Sequence, residues 1–238
     1  MQKPNLREGE IFLLDKPYEW TSFNVVSSIR YQMKKITGLK RNKVGHAGTL
    51  DPLATGLLII CTGKATKQID KYQAQVKEYT GTFLLGSTTP CFDKEQDVDK
   101  TYPTEHITKE MIEQAAVHFT GVQEQIPPVF SAIKIKGKRA YNYARNDEEV
   151  VIKPKTIEIM EFEITNIRGL EIDFKVVCSK GTYIRSLARD FGIKLNSGAY
   201  LIALRRTKIG NFSVEDAMTP DEFKTKMRKF FPDLLEER

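Results

Sequence analysis

The sequence predicts an α+β fold: a large mixed, mostly antiparallel β-sheet with helices packed on it. Two observations carry this expectation. Segments with strand character outnumber segments of helical period, and several sequence neighbours read as antiparallel pairs. The plainest pair is Ile157, Ile159, Phe162 and Ile164 followed by Leu170, Ile172, Phe174, Val176 and Cys178, with Gly169 at the turn between them. A third observation concerns organisation. No internal repeat, low-complexity tract or Gly/Ser linker interrupts the chain, so residues 1–238 read as one domain with a short C-terminal tail from about residue 211.

In chain order, Glu10 to Asp15 is a short strand with Ile-Phe-Leu-Leu at its centre. Thr21 and Ser22 offer an N-cap to a helix whose apolar residues Val26, Ile29, Met33 and Ile36 recur at spacings of three and four, and Gly38 is placed to end it. Leu57 to Cys61 is a second strand, and Val76 to Leu85, rich in Thr, Tyr and Phe, is a third. Ser87 to Pro103 is acidic and broken by two prolines, the composition of a mobile loop. Thr108 caps a helix carrying Ile112, Ala115 and Phe119, stopped by Gly121. After the hairpin come a helix from Tyr183 to Lys194, with Ile184, Leu187, Ala188 and Phe191 on its apolar face, and a strand from Ala199 to Arg206.

Lys plus Arg exceed Asp plus Glu by 37 to 31, and the resulting charge of +6 is compatible with a polyanionic partner. No apolar run approaches the ~20 residues that span a membrane. The N-terminus has no apolar signal core. Three cysteines, Cys61, Cys91 and Cys178, are odd in number and form no CxxC pair. Free thiols in a reducing compartment, the cytoplasm, are the simplest reading.

The most informative segment is Val44-Gly45-His46-Ala47-Gly48-Thr49-Leu50-Asp51-Pro52-Leu53-Ala54-Thr55-Gly56, which runs into the strand at Leu57. An acid between glycines sits where backbone can approach a ligand closely. Pro52 pushes Asp51 into an extended conformation, so the carboxylate rides on a stiff loop beside a core strand. On pattern alone the alternative, an ordinary turn aspartate, stays open.

The same segment resembles the GHxGxLDPxATG signature of the bacterial T-loop tRNA pseudouridine synthases, the TruB family. Five further blocks resemble that family in the same order. They are Leu14-Asp15-Lys16-Pro17 with Trp20-Thr21-Ser22; Lys77-Glu78-Tyr79; Gln125 to Lys134, followed by Arg139-Ala140-Tyr141 and Ala144-Arg145; Cys178 to Arg185; and Gly198-Ala199-Tyr200 with Leu204-Arg205-Arg206-Thr207. Two departures stand out. Tyr18-Glu19-Trp20 replaces a small Gly-containing turn, and Tyr200 stands where many relatives carry a histidine. Only about thirty residues follow the last block, too few for the RNA-binding PUA domain of the family's larger members, so none is expected.

The resemblance implies the pseudouridine synthase fold and isomerisation of a T-loop uridine in tRNA by a monomer that engages the T-arm. Asp51 is then the catalytic carboxylate, Arg185 its cationic partner and Tyr79 the ring on which the base stacks. Leu204 is an apolar wall against the flipped base, and His46 fills the loop space the base vacates. Gly48 is placed in the substrate-binding set with Lys16, Lys134 and Arg145, the cations expected to meet phosphates. Breaking C1′–N1 and joining C1′ to C5 needs neither cofactor nor metal. His46, His106, His118 and the cysteines form no ligand spacing, and Gly63-Lys64 departs from a P-loop. Two competing classes are a non-catalytic RNA-folding module and a glycosidic-bond hydrolase. The latter usually needs a second acid, and none stands out in these motifs.

Overall fold

The computed structural model describes residues 4–6, 8–39, 42–131, 134–135, 138–139 and 152–232. Its strands are β1 (Ile11–Lys16), β2 (Val44–His46), β3 (Ala54–Thr62), β4 (Lys77–Leu85), β5 (Gly121–Gln125), β6 (Lys155–Arg168), β7 (Glu171–Cys178) and β8 (Ala199–Ile209), with several two-residue ladders besides. The helices are α1 (Ser22–Thr37), α2 (Ile69–Gln73), α3 (Lys109–His118), α4 (Ile184–Lys194) and α5 (Pro220–Phe230). The class is α+β with mostly antiparallel strand pairing. By internal packing the chain forms two compact units, Met1–Glu78 with Arg205–Arg238, and Tyr79–Leu204. Strands β4 and β8 each contribute residues to both.

In the first unit, β1 lies antiparallel to β3 from Ile11 opposite Cys61 to Lys16 opposite Gly56. The short β2 pairs with the far end of β3, His46 facing Ile60. Nearly continuous burial along β3 reflects apolar cover on both faces, as its unbroken Leu-Leu-Ile-Ile-Cys run requires. Helix α1 starts in a reciprocal box: Asn24 N donates to Thr21 Oγ1 (3.0 Å) and Thr21 N to Asn24 Oδ1 (2.8 Å). Its inner face carries Val25, Val26, Ile29, Met33 and Ile36 onto Phe12, Leu14, Leu58 and Ile60.

Helix α5 completes that core. It lies past residue 211, in the stretch expected as a tail, and begins in a Thr219–Glu222 capping box with Pro220 in its first turn. Phe223 and Met227 are fully buried, and the Phe223 ring meets Phe12 edge-on at 5.0 Å.

In the second unit, β6 and β7 form the long hairpin, with register shifts after Ile159 and Ile164, and β5 pairs with the start of β6. An aromatic core of Phe83, Phe162, Phe174 and Phe191 joins the strands to α4, with centroids 4.2 to 6.3 Å apart. The segment expected as a mobile loop, Ser87 to Pro103, is tied down instead. In its first half Thr89, Cys91 and Asp93 are buried, Thr89 Oγ1 donates to Asp93 O (2.6 Å), and Leu201 N donates to Phe92 O (3.0 Å). Its acids and prolines misled because Thr89, Cys91 and Asp93 pack inward, whereas residues 94–101, with Glu95, Asp97 and Asp99, do face solvent. No described helix is long and apolar enough to cross a membrane.

Candidate active site

Asp51 sits on the loop from β2 to β3, and the backbone of that loop is fastened at most of its residues. Ala47 N donates to Ile59 O (2.9 Å), and Ala54 N closes a turn onto Asp51 O (3.1 Å). Ser22, in the first turn of α1, uses its hydroxyl twice, accepting from Leu50 N (2.8 Å) and donating to Leu50 O (3.1 Å). Lys16, at the end of β1 and fully enclosed, donates to Pro52 O (3.0 Å), Pro17 O (2.9 Å) and Trp20 O.

Arg206, on β8 and 1% exposed, completes the clamp. Its Nε donates to Leu57 O (2.8 Å) and its Nη2 to Gly48 O (3.0 Å), while Nη1 stands 3.5 Å from Thr49 O. Gly48 has φ +99°, a region costly for any side chain. Gly56, at φ +107°, has a stronger requirement: a Cβ there would lie 2.3 Å from the carbonyl oxygen of Arg206. The glycine that seemed to make room for a ligand makes room for β8. Next along β8, Arg205 grips Asp15 with both arms, Nη1 to Oδ1 at 3.1 Å and Nη2 to Oδ2 at 2.6 Å, and so ties β8 to β1.

Two buried cations beneath one loop shape its electrostatics. Burial lowers the Lys16 ammonium to about 8, with the Asp51 charge opposing the fall and the Arg206 charge adding to it. Burial, and then Arg206, pull the His46 imidazole below its ordinary value, against a weaker pull from the Gly48 carbonyl. His46 is therefore a neutral ring at pH 7, suited to stacking rather than to a phosphate ion pair. Cys61, buried in β3, is no rival nucleophile, since burial pushes its thiol up to about 11.

The second unit positions Arg185. Gln125 turns its amide onto the backbone of one residue, accepting from Tyr183 N (2.8 Å) and donating to Tyr183 O (3.1 Å), and Ser186 Oγ donates to Ile126 O (2.8 Å). These bonds lock the first turn of α4 against the Gln125–Ser131 segment. Arg185, 5% exposed, donates through Nη2 to Phe130 O (2.9 Å) and through Nη1 to Cys91 O (3.2 Å). Its Nε stands 3.5 Å from Asp93 Oδ2, an ion pair in which both side chains are 6% exposed. Tyr79 is buried on β4, Tyr200 is buried on β8, and Leu204 is partly buried on β8.

The first unit thus brings Asp51 together with Gly48, Lys16 and His46, and the second holds Tyr79, Arg185 and Leu204. Lys16 needs correction as a phosphate contact: its three donors are spent on carbonyls and its ammonium is shut off from solvent. Lys134 falls on a two-residue strand opposite Arg139. Arg145 lies outside the described residues. Sequence reasoning missed three side chains. Arg206 hid inside a block read only as a motif, Ser22 was read as a cap and as one member of another block, and Asp93 was one acid among several in a stretch taken for a mobile loop.

Comparison with known proteins identifies the family. Residues 34–184 match the TruB family pseudouridylate synthase (N terminal domain), and residues 185–234 match the tRNA pseudouridylate synthase B C-terminal domain. The tRNA pseudouridine synthase B of Phocaeicola vulgatus is 57% identical over 219 residues, covering 92% of this chain and 93% of its own. That of Flavobacterium johnsoniae is 53% identical, covering 89% and 93%. Among solved structures, an H/ACA RNP bound to a substrate RNA containing 2′-deoxyuridine aligns with a TM-score of 0.69 at 27% identity. An archaeal box H/ACA sRNP Nop10–Cbf5 complex gives 0.68 at 26%. This chain is covered to 98% and 96% in the two alignments but spans only 57% of either solved chain. The chain belongs to the TruB family of pseudouridine synthases.

Proposed function

We propose that this chain isomerises the T-loop uridine of tRNA to pseudouridine, acting as a cytoplasmic monomer on the T-arm, with Asp51 as the catalytic carboxylate. The observation that carries this reading is the immobilised loop. Gly48, Leu50 and Pro52 are each held by a buried side chain, so the carboxylate among them is presented at fixed geometry. A turn aspartate with no chemistry would need no such support. The reaction breaks C1′–N1 and forms C1′–C5 within one nucleotide. Asp51 serves as nucleophile or as the charge that steadies a cationic sugar. In this reading Tyr79 supplies a stacking face and a hydroxyl, and Arg185 a fixed cation that favours a carboxylate anion. Leu204 walls the flipped base, and neutral His46 occupies the loop space it leaves.

The test is tritium release from tRNA transcripts labelled at uridine C5. Isomerisation frees the C5 hydrogen, hydrolysis of the glycosidic bond frees the base, and a binding module does neither. Release of free uracil, or no reaction at all with bound tRNA, would overturn the assignment.

A further inference from the structure

We propose that the outward face of helix α1 and the cavity beside it form an RNA-contacting surface distinct from the Asp51 loop, holding one phosphodiester and stacking a base. This inference rests on the tRNA reading above for its partner, but its observations are separate.

Helix α1 has the sequence SFNVVSSIRYQMKKIT, without one acidic residue, and its cations Arg30, Lys34 and Lys35 lie off the face packed into the core. Two large rings stand in solvent on the same helix, Phe23 at 65% and Tyr31 at 55% exposure. Each has a cation over it: Arg30 Cζ is 6.0 Å from the Phe23 centroid, and Lys35 Nζ is 5.0 Å from that of Tyr31. Exposed rings interleaved with positive charge are what a strand of nucleic acid requires. Its bases stack on any aromatic face, and its phosphates need cations at short intervals. A protein partner would be better served by a contiguous apolar patch, and here cations flank both rings.

Arg30 links the helix to a cavity of about 550 Å³. Its Nη2 donates to Val44 O (3.2 Å), which pins the guanidinium at the cavity wall. The other polar side chains of the wall belong to Asn42, Lys43 and Thr66. Thr66 Oγ1 already donates to Gly63 O (2.7 Å) and Asn42 Nδ2 to Leu39 O (3.2 Å), so the wall offers chiefly the cations Arg30 and Lys43, with no acid among its described residues. That donor set fits a phosphodiester. The wall also includes Val44 and Gly45, the residues that lead along β2 to His46. A strand seated here therefore runs toward the residue expected to enter the T-loop.

The test measures affinity of the full chain for an unmodified tRNA transcript from about 50 to 200 mM salt, alongside tritium release at saturating tRNA. The variants are Phe23→Ala, Arg30→Gln and the pair combined. Phe23→Ala should weaken binding roughly fivefold or more, the loss of one base–ring stack. Arg30→Gln should make the slope of log affinity against log salt shallower by about one. Both losses should fall on affinity rather than on the rate at saturation. Affinity and slope equal to wild type in all three variants would overturn the surface, even if tritium release proceeds normally. A wild-type dimer that the variants dissolve, with tRNA affinity unchanged, would overturn it too and assign the face to a second copy. Weakened tRNA binding in the variants of a chain that never releases tritium would uphold the surface and sink the isomerase instead.

Discussion

Replacing Arg206 by methionine isolates what the clamp does. The substitution keeps most of the side-chain volume and strands the carbonyls of Leu57 and Gly48, which now accept from Nε and Nη2 at 2.8 and 3.0 Å. A hydrogen bond to a charged donor contributes about 1.5–3 kcal/mol, so the two together are worth about 3–6 kcal/mol. The contact to Thr49 O, at 3.5 Å, adds little. Removing a buried cation also relieves its own desolvation and its repulsion of Lys16, which returns about a third of that sum. The net loss is about 2–4 kcal/mol. A chain of this size loses about 2–4 °C of Tm per kcal/mol, which gives a fall of roughly 5–15 °C.

Thermal melts at pH 7 measure that fall, and single-turnover tritium release well below the transition measures its catalytic side. Gly48 and Thr49 lie close to Asp51 in sequence, so a loosened loop should lower the rate at saturating tRNA more than it lowers affinity. A third readout separates charge from packing. Arg206 helps hold the His46 imidazole down, so in Arg206→Met the His46 ring should titrate at higher pH, followed by its NMR signals. A Tm within about 1 °C of wild type, together with an unmoved His46 titration, would refute the clamp.

Four further outcomes follow from the geometry. Gly56→Ala puts a Cβ 2.3 Å from a backbone oxygen at φ +107°, so it should cost more than the 1–2 kcal/mol of an ordinary left-handed alanine; a melt within about 3 °C of wild type would show that β8 can retreat. Phe223→Ala should cost about 3–5 kcal/mol, read by urea unfolding, because α5 belongs to the core; a cost below about 1 kcal/mol would make α5 an appendage. Lys16, lowered to about 8 against 10.5, binds fewer protons folded than unfolded between those values, so its contribution to stability rises with pH across that window and is flat below it. Lys16→Met should lack the rise, and parallel curves for variant and wild type would place the ammonium in contact with water. Asp51→Asn should abolish tritium release while tRNA affinity stays within a few-fold, since most affinity comes from phosphates and loop shape; clear residual turnover would remove Asp51 from the chemistry.

Much of this was legible in the sequence, and the reason differs by element. Helix α1 announced itself through Thr21, Gly38 and the spacing of its apolar residues, and the β6–β7 hairpin through alternation that breaks once, between Ile159 and Phe162, where the ladder also shifts register. Both signals are local, and local structure obeyed them. Helix α5 was missed because its apolar residues are few: Phe223 and Met227 stand among lysines, and only the Thr219 box and Pro220 marked its start. The buried first half of Ser87–Pro103 was missed for the opposite reason. Its composition is that of a solvated loop, and what buries Asp93 is an arginine 92 positions further along the chain, as read from their numbers.

Buried charge explains why the motif residues were easier to recognise than to interpret. Enclosing Lys16, Arg185 and Arg206 costs several kcal/mol each unless their donors are satisfied. A chain bent only on stability would replace Lys16 and Arg206 with apolar side chains of like volume. The structure meets the cost of those two with backbone carbonyls, and those carbonyls belong to Gly48, Thr49, Pro52 and Leu57, the residues on either side of Asp51, together with the Pro17–Trp20 turn. Hydrophobic substitutes would fill the same space and leave the loop unfastened. The retained cations are therefore intelligible only if the position of the Asp51 loop is itself what has to be held. The Arg206→Met comparison is therefore decisive, since it asks whether the rate falls further than the fold does.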